Sequence, residues 1–365
     1  MSLSNFQKHI TNNLSFLKES KLLVAISGGL DSVALTHLCH KLKLNITLAH
    51  CNFNLRGDES DGDEDFVLQL ANQLGLEVFI ERFDTEKYSQ DHKISIQMAA
   101  RELRYNWFEA LANQLQFDYI LTAHHADDNL ETFLINLSRG TGLEGLKGIP
   151  EINDTIARPL LPFSREAIIA YAEENKLKWR EDSSNASSKY MRNKLRHDVI
   201  PVLKDMNPQF LQNFQATLNN LKDSKSIIDD SIQNLISQGV VTLTKNGMKF
   251  NISILKEFGN PKAYLYQLMN GYGFSEWNDV VHLLDAQSGK QLLAKEWRLI
   301  KDRDYLLLSE ISSTEKNIIT ISETDTQIET PIGTLFFDEV DAVLSKESNT
   351  IYVDKSLLKY TLKLR

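Results

Sequence analysis

The chain has 365 residues, 42 % of them hydrophobic and 24 % charged, with a formal net charge of −9. That length allows two or three domains with sizeable cores, in the composition range of an ordinary soluble protein. No run of about 18 apolar residues is present to cross a membrane, and the two cysteines, Cys39 and Cys51, exclude a disulfide framework and any four-cysteine zinc or iron–sulfur site.

Residues 1–8 carry no signal-peptide core, so a reducing cytoplasm is the expected compartment. The net charge argues against nucleic acid as a partner, but it is unevenly spread. Asp58–Asp65 holds six carboxylates, whereas 187–204 holds Lys189, Arg192, Lys194, Arg196, His197 and Lys204 near Asp198. A local basic face can bind phosphates on an acidic protein.

In chain order, strands are expected at 21–27, 45–50, 77–83, 118–124 and 155–160, and helices at 32–43, 60–74, 95–116 and 126–138. This alternation predicts an α/β domain with a doubly wound parallel sheet and ligands at the carboxyl ends of the strands. Segment 164–176 reads as a helix capped by Ser164. Residues 209–237 read as a polar helix. Two strand pairs follow, flanking Asn246-Gly247 and Lys301–Asp304, with a helical piece at 261–286 between them. Residues 317–365 are strand-like, with a turn at Thr330-Pro331-Ile332-Gly333. The expected division is 1–208 as the α/β domain, 209–311 as a small α+β domain, and 312–365 as the incomplete start of a β-rich domain.

The first strand runs into Ser27-Gly28-Gly29-Leu30-Asp31-Ser32. A glycine turn before a helix start exposes unpaired N–H groups and the positive end of the helix dipole, which suits a phosphate. Asp31 would repel that phosphate unless a divalent cation bridged them. Leu30-Asp31 stands where a Walker A loop needs Lys, and no G-x-G-x-x-G occurs. The hexapeptide resembles the SGGxDS signature of the PP-loop ATP pyrophosphatases, which cut ATP between the α and β phosphates. An ordinary strand-to-helix turn is the plain alternative.

Four further segments carry candidate chemistry. His50–Gly57 follows the second strand, where residues beside a nucleotide loop wall the adenosine. Arg56 there is a candidate phosphate contact or a surface arginine. Arg101 and Arg104 share one face of the 95–116 helix, near a helix start that disfavours cations unless an anion compensates. In Thr122–Thr132 a strand ends in His124-His125. A helix opens with Asp127 and Asp128, and Glu131 follows on the Asp128 face. Capping by Asp127 accounts for one carboxylate but not for Glu131 or the histidines. Substrate recognition is favoured over a metal site at His124, His125 and Asp127. Gly140, Gly142, Gly145 and Gly148 then read as a loop over a nucleotide or RNA backbone, or as plain flexibility. Acidic 58–65 reads as a solvated loop and helix start.

As an ordered set, SGGLDS, HCNFNLRG, AARELRY, TAHHADDNLET, SRGTGLEGLKGI, RPLL, EDSSN and RNKLRHDVIP resemble the tRNA(Ile)-lysidine synthetase family over residues 21–201. Ser288-Gly289-Lys290 and Asp302-Arg303-Asp304 are similar to its first C-terminal domain. The resemblance implies ligation of L-lysine to C2 of the wobble cytidine of the isoleucine tRNA with a CAU anticodon. It proceeds through an adenylylated cytidine, with ATP and Mg²⁺. It implies ATP binding by Ser27, Gly28, Gly29, Leu30, Asp31, Ser32, His50, Arg101 and His124, with Asp31 near Mg²⁺. Asp128 would serve lysine, and Glu131 and Arg196 the target base. Asp31, Asp128, Glu131 and Arg196 would thus carry catalysis, with Arg56, Arg139 and Arg192 added as tRNA contacts. The family often ends in a further lysine-rich module, and no Lys-Lys-Lys-Leu stretch occurs here. A homodimer is left open.

Two other readings remain. A related tRNA sulfurtransferase needs a reactive cysteine pair, which Cys39 and Cys51 fit poorly. A non-catalytic nucleotide- or RNA-binding module does not need Asp31, Glu131 and Arg196 intact.

Overall fold

The computed structural model describes residues 1–181, 191–245, 247–311, 319–330, 333–342, 350–358 and 361–364. Most of the EDSSN motif (Asp182–Asn185), Lys189, Asn246 and the Pro331-Ile332 turn lie outside the described residues. The chain separates into two compact units, Met1–Ile228 and Asp229–Arg365.

The first unit starts with helix α1 (Leu3–Asn13) and strand β1 (Lys21–Ala25). Helix α2 (Leu30–Lys41), β2 (Asn45–Asn52), α3 (Asp58–Leu74) and β3 (Val78–Arg82) follow. Then come α4 (Thr85–His92), α5 (Ile96–Leu115), β4 (Tyr119–Leu121), α6 (Ala126–Ser138) and the short α7 (Leu143–Leu146). Strands β5 (Ile152–Asn153) and β6 (Ile156–Ala157) precede α8 (Arg165–Glu174). The sheet order is β3-β2-β1-β4-β6-β5, parallel except for the β5–β6 edge.

Alternation along β1 builds two core layers. Leu22 and Val24 point into one with α1, α2 and α8, while Leu23 points into the other with Phe108 and Ala112 of α5. All three are fully buried, each contributing about 2 kcal/mol as an upper estimate. Helix α2 is buried around most of its circumference, including Leu30, Val33, Leu35 and Leu38, so its first turn rests on a rigid element. Successive strands run outward as β1-β2-β3, and the order then reverses to β4 on the other side of β1. A crevice opens at that reversal, beyond the carboxyl ends of β1 and β4.

Past α8, α9 (Met191–Lys194) leads into a π-helical turn, Leu195–Val199, and then α10 (Ile200–Met206). The turn is closed by the Ile200 N–H donating to Leu195 O. Pro201, next in line, has no N–H to continue the α pattern. Helix α11 (Phe210–Ser237) contributes Phe214 and Leu218 to a cluster with Leu130 and Ile200.

The second unit holds an antiparallel sheet of β7 (Val241–Thr244), β8 (Gly247–Asn251), β9 (Gln291–Leu293), β10 (Trp297–Asp302) and β11 (Tyr305–Glu310), in the order β7-β8-β11-β10-β9. Its core includes Phe250, Leu265, Leu299 and Leu306. The expected helical piece at 261–286 is broken into α13 (Pro261–Met269) and α14 (Trp277–His282), after a short α12 (Ile252–Glu257). A 3-10 turn, Asn270–Tyr272, follows α13 and ends at Gly273, at φ +81°. Beyond it, Ile319–Ile321 pairs with Leu362–Leu364, and Gln327–Thr330 with Gly333–Phe336.

Candidate active site

Ile26–Gly29 turn the chain from β1 into α2. Gly28 has φ +85°, and a Cβ there would lie 3.3 Å from Phe66 Cδ1, so any other residue is strained. The loop is shaped by hydroxyls. Ser27 N–H donates to Ser32 Oγ (3.2 Å), Gly29 N–H to Ser27 Oγ (3.3 Å), and Ser32 Oγ–H to Gly29 O (2.9 Å). The first-turn N–H groups of α2 lie beside them, an arrangement suited to an anion.

Asp31 stands in that turn. Among the described residues its buried Oδ1 has no hydrogen-bond partner, and its Oδ2 lies 3.7 Å from His125 Nε2. Burial raises this carboxyl above its ordinary value, with His125 opposing. A buried carboxylate oxygen without a donor, next to an anion-binding turn, fits a divalent cation. Among the described residues no cluster of three or more His, Cys, Asp and Glu could hold a metal. A cation would therefore share Asp31 with phosphate oxygens, the usual manner of Mg²⁺.

Across the crevice, β4 ends and α6 begins. His125 is the N-cap: its Nδ1 accepts from Asp128 N–H (3.3 Å), and its own N–H donates to Asp128 Oδ2 (3.1 Å). Because Nδ1 accepts, the neutral ring carries its proton on Nε2, facing Asp31 and Asp128. The expectation that Asp127 caps this helix is corrected. Asp127 Oδ2 accepts from Arg165 N–H (2.8 Å) at the start of α8, and its Oδ1 accepts from Lys204.

One turn into α6, Glu131 is fully buried. Arg196 Nε donates to its Oε1 (2.6 Å), and Arg196 Nη2 reaches both Glu131 Oε2 (3.1 Å) and Asp128 Oδ1 (3.0 Å). Arg192 adds a 3.5 Å ion pair to Glu131 and a bond to Thr132 Oγ1. Burial lifts the Glu131 carboxyl above its ordinary value, although Arg196 pulls the other way. His124 bonds Thr122 Oγ1 (2.9 Å), and burial drives its pKa down to about 4, so it is neutral at physiological pH.

The two faces open into one cavity of about 600 Å³ in the first unit, lined by Ser27, Gly29, Leu30, Asp31, Ser32, His124, His125, Asp128, Arg192 and Arg196 among others. That volume is typical of a small-molecule site. A family model described as "PP-loop domain" matches residues 2–203, and one described as "TilS substrate binding domain" matches 243–311. The curated tRNA(Ile)-lysidine synthase of Bacteroides thetaiotaomicron is 40 % identical over 314 residues, covering 86 % of this chain and 72 % of that protein.

The chain belongs to the tRNA(Ile)-lysidine synthase family.

Two further tRNA(Ile)-lysidine synthases agree. That of Parabacteroides distasonis is 35 % identical over 353 residues (95 % of this chain, 80 % of that protein), and that of Chlorobaculum tepidum 37 % over 286 (75 % and 86 %). Against the residues expected from the lysidine synthetase resemblance, the structure brings most together but not all. Gly28 shapes the loop without lining the cavity, and Glu131 sits behind Asp128. His50 is buried with Nδ1 on Ile26 O (2.9 Å), bracing the base of the loop rather than lining the cavity. Arg56 is taken up by Asp63 (2.7 Å). Arg101 lies over the Tyr105 ring, and Arg139 is exposed at the end of α6; neither lines the cavity.

The cavity also includes Cys51 and Phe53 of the segment expected to border the adenosine and Arg104 of the expected arginine pair, together with Tyr105, Arg165, Trp179 and Arg180, which were not singled out. Arg104, three residues beyond Arg101 on the same face, lies over the Phe53 ring. Both cysteine thiols are pushed up to about 12 by burial, so neither is a ready thiolate for sulfur transfer.

Proposed function

We infer that this chain ligates lysine to C2 of the wobble cytidine of tRNA(Ile) bearing a CAU anticodon, consuming ATP and releasing AMP and pyrophosphate. The single observation that carries this reading is that an anion-binding loop and a carboxylate–arginine cluster share one cavity at the sheet's topological switch. One face suits a triphosphate, the other a cationic amine and a pyrimidine edge.

The first step forms a bond between cytosine O2 and the α-phosphorus, and the bond to the bridging oxygen of pyrophosphate breaks. Ser27–Ser32 hold the phosphates through backbone N–H and hydroxyl donors. Mg²⁺, when bound beside Asp31, supplies charge neutralisation of the phosphates. Arg196, which lines the cavity and is fixed by the buried Glu131 behind it, holds the base edge, which must leave its stack to enter. In the second step the neutral lysine ε-amine forms a bond to C2 and the C2–O bond breaks, with AMP leaving and the amine's proton passing to solvent. Asp31, Asp128 and Glu131 face the guanidiniums of Arg192 and Arg196. Asp128, half-buried at the cavity wall and bonded there to Arg196, is the seat for the substrate ammonium, which enters by exchanging for that guanidinium.

The division into a catalytic domain at 1–208, a tRNA-recognition domain at 209–311 and a β-rich segment from 312 belongs to this reading. Its support is the substrate-binding-domain match at 243–311. A homodimer is carried forward as a proposal for sedimentation analysis. Among the described residues no helix is long and apolar enough to cross a membrane.

The test is incubation with labelled lysine and ATP, with isoleucine (CAU) and methionine tRNA transcripts in parallel. Label entering only the isoleucine transcript is expected; label in neither, or equally in both, contradicts the reading.

A further inference from the structure

Two features of helix α3 are left without a purpose by the site described above. The acidic run 58–65 opens α3 with Asp58, Glu59, Asp61 and Asp65 exposed, as expected of a solvated helix start, but Asp63 and Glu64 are buried. A glycine, Gly62, also sits inside this helix, at a cost of about 1 kcal/mol relative to Ala. Both point to Arg180.

Arg180 arches over the phosphate loop. Its backbone N–H donates to Gly28 O at 2.9 Å, which ties its main chain to the turn. Its Nε donates to Asp63 Oδ1 at 2.9 Å, and Arg56 holds the other oxygen of Asp63 at 2.7 Å. A Cβ on residue 62 would lie 3.0 Å from Arg180 Nη2, a tight contact that would push the guanidinium from its seat by a few tenths of an ångström. Arg180 lines the cavity, and its side chain is 42 % exposed there. Among the described residues Asp63 is its only side-chain partner. Asp63 is shared by two arginines, of which Arg56 also meets Glu59 at 3.8 Å, so Arg180 holds only a shared carboxylate beside an anion-binding turn.

We propose that Arg180 is a phosphate-binding residue of the ATP site, stored beside the loop by Asp63 and given room by Gly62. It rests on the reading of the cavity as an ATP site and adds to it a cation for the pyrophosphate half of the nucleotide. The Nε–Asp63 bond orients the fork so that the terminal nitrogens are left for phosphate oxygens.

The test measures the ATP KM, with tRNA and lysine saturating, and inhibition by inorganic pyrophosphate and by AMP, on the full chain. Arg180→Met is expected to raise the ATP KM and the pyrophosphate inhibition constant about tenfold, or 1.4 kcal/mol, with AMP inhibition unchanged. Arg180→Lys recovers part of the loss. Gly62→Ala keeps or raises the melting temperature, because Ala favours the helix, yet raises both constants about threefold through the displaced guanidinium. In the Arg180→Met background Gly62→Ala adds nothing. Unchanged pyrophosphate inhibition in Arg180→Met overturns the proposal. So does equal weakening of AMP and pyrophosphate, or a Gly62→Ala effect that persists without Arg180. A wild-type chain that pyrophosphate does not inhibit overturns the ATP-site reading as well, and is told apart from the other failures by that control.

Discussion

The phosphate loop and the start of α6 face the same cavity but are built on opposite electrostatic plans. At the loop, neutral serine hydroxyls and backbone N–H groups set the shape, and the single carboxylate, Asp31, keeps a buried oxygen without a donor. At α6, Asp128 and Glu131 are already matched by Arg196, with Arg192 beside them. The loop is preorganised for an anion and its counter-ion and needs no internal partner broken. The α6 face holds its charges in internal pairs, and a substrate amine or base edge enters by exchanging for one of them. A site built this way separates activation from ligation within one cavity.

The comparison breaks first at Glu131. Glu131→Gln keeps the shape but removes the charge that orients Arg196, and lysine transfer is expected to fall by roughly 10³-fold. ATP binding, read by nucleotide fluorescence, persists because the loop shares no hydrogen bond with Glu131. Normal incorporation by this variant would refute the role.

At the loop, Asp31→Asn is expected to cost about 10²-fold in pyrophosphate release, while the ligand-free chain becomes more stable to urea. The sign follows from burial. The folded carboxyl has a raised pKa, so the folded state holds more protons than the unfolded chain between the ordinary and raised values. Its ionised form is therefore a penalty at neutral pH, which Asn removes. Added Mg²⁺ and ATP should stabilise the wild type and not the variant.

Gly28→Ala tests the loop's geometry alone. A Cβ at φ +85° and 3.3 Å from Phe66 should cost about 1–2 kcal/mol of stability, read as a lowered urea midpoint, together with weaker nucleotide binding.

The smallest expected effect sharpens the α6 side. His124 has its pKa lowered from 6.5 to about 4. Between those values the unfolded chain takes a proton that the folded chain refuses, so stability falls as pH drops through that window. His124→Asn, which can keep the Thr122 bond, should flatten that part of the stability curve and leave any break in the activity profile near pH 6.5 in place.

Much of this was legible in the sequence, and the exceptions have physical causes. The strand starting at Lys21 and the α6 boundaries followed from apolar runs and the polar helix opening. Helix α4 was not foreseen, because Thr85–His92 has no apolar period and is started by the Asp84 cap. The burial of Asp63 and Glu64 was invisible because their partners, Arg56, Arg82 and Arg180, come from elsewhere in the chain. Spacing placed Arg101 and Arg104 on one face but could not say which turn reaches the cavity. His50 stood at a strand end as expected, yet a backbone carbonyl, which leaves no mark in a sequence, claims its Nδ1. His125 displaced Asp127 as the cap because an imidazole nitrogen can accept the same N–H.

The division of labour between the two faces is tested most directly by a rapid-mixing assay of pyrophosphate release with ATP and tRNA(Ile) in the absence of lysine. The account predicts a full burst from wild type and from Asp128→Asn, no burst from Asp31→Asn, and, once lysine is added, turnover by wild type alone. A burst retained by Asp31→Asn, or lost in Asp128→Asn, would contradict it.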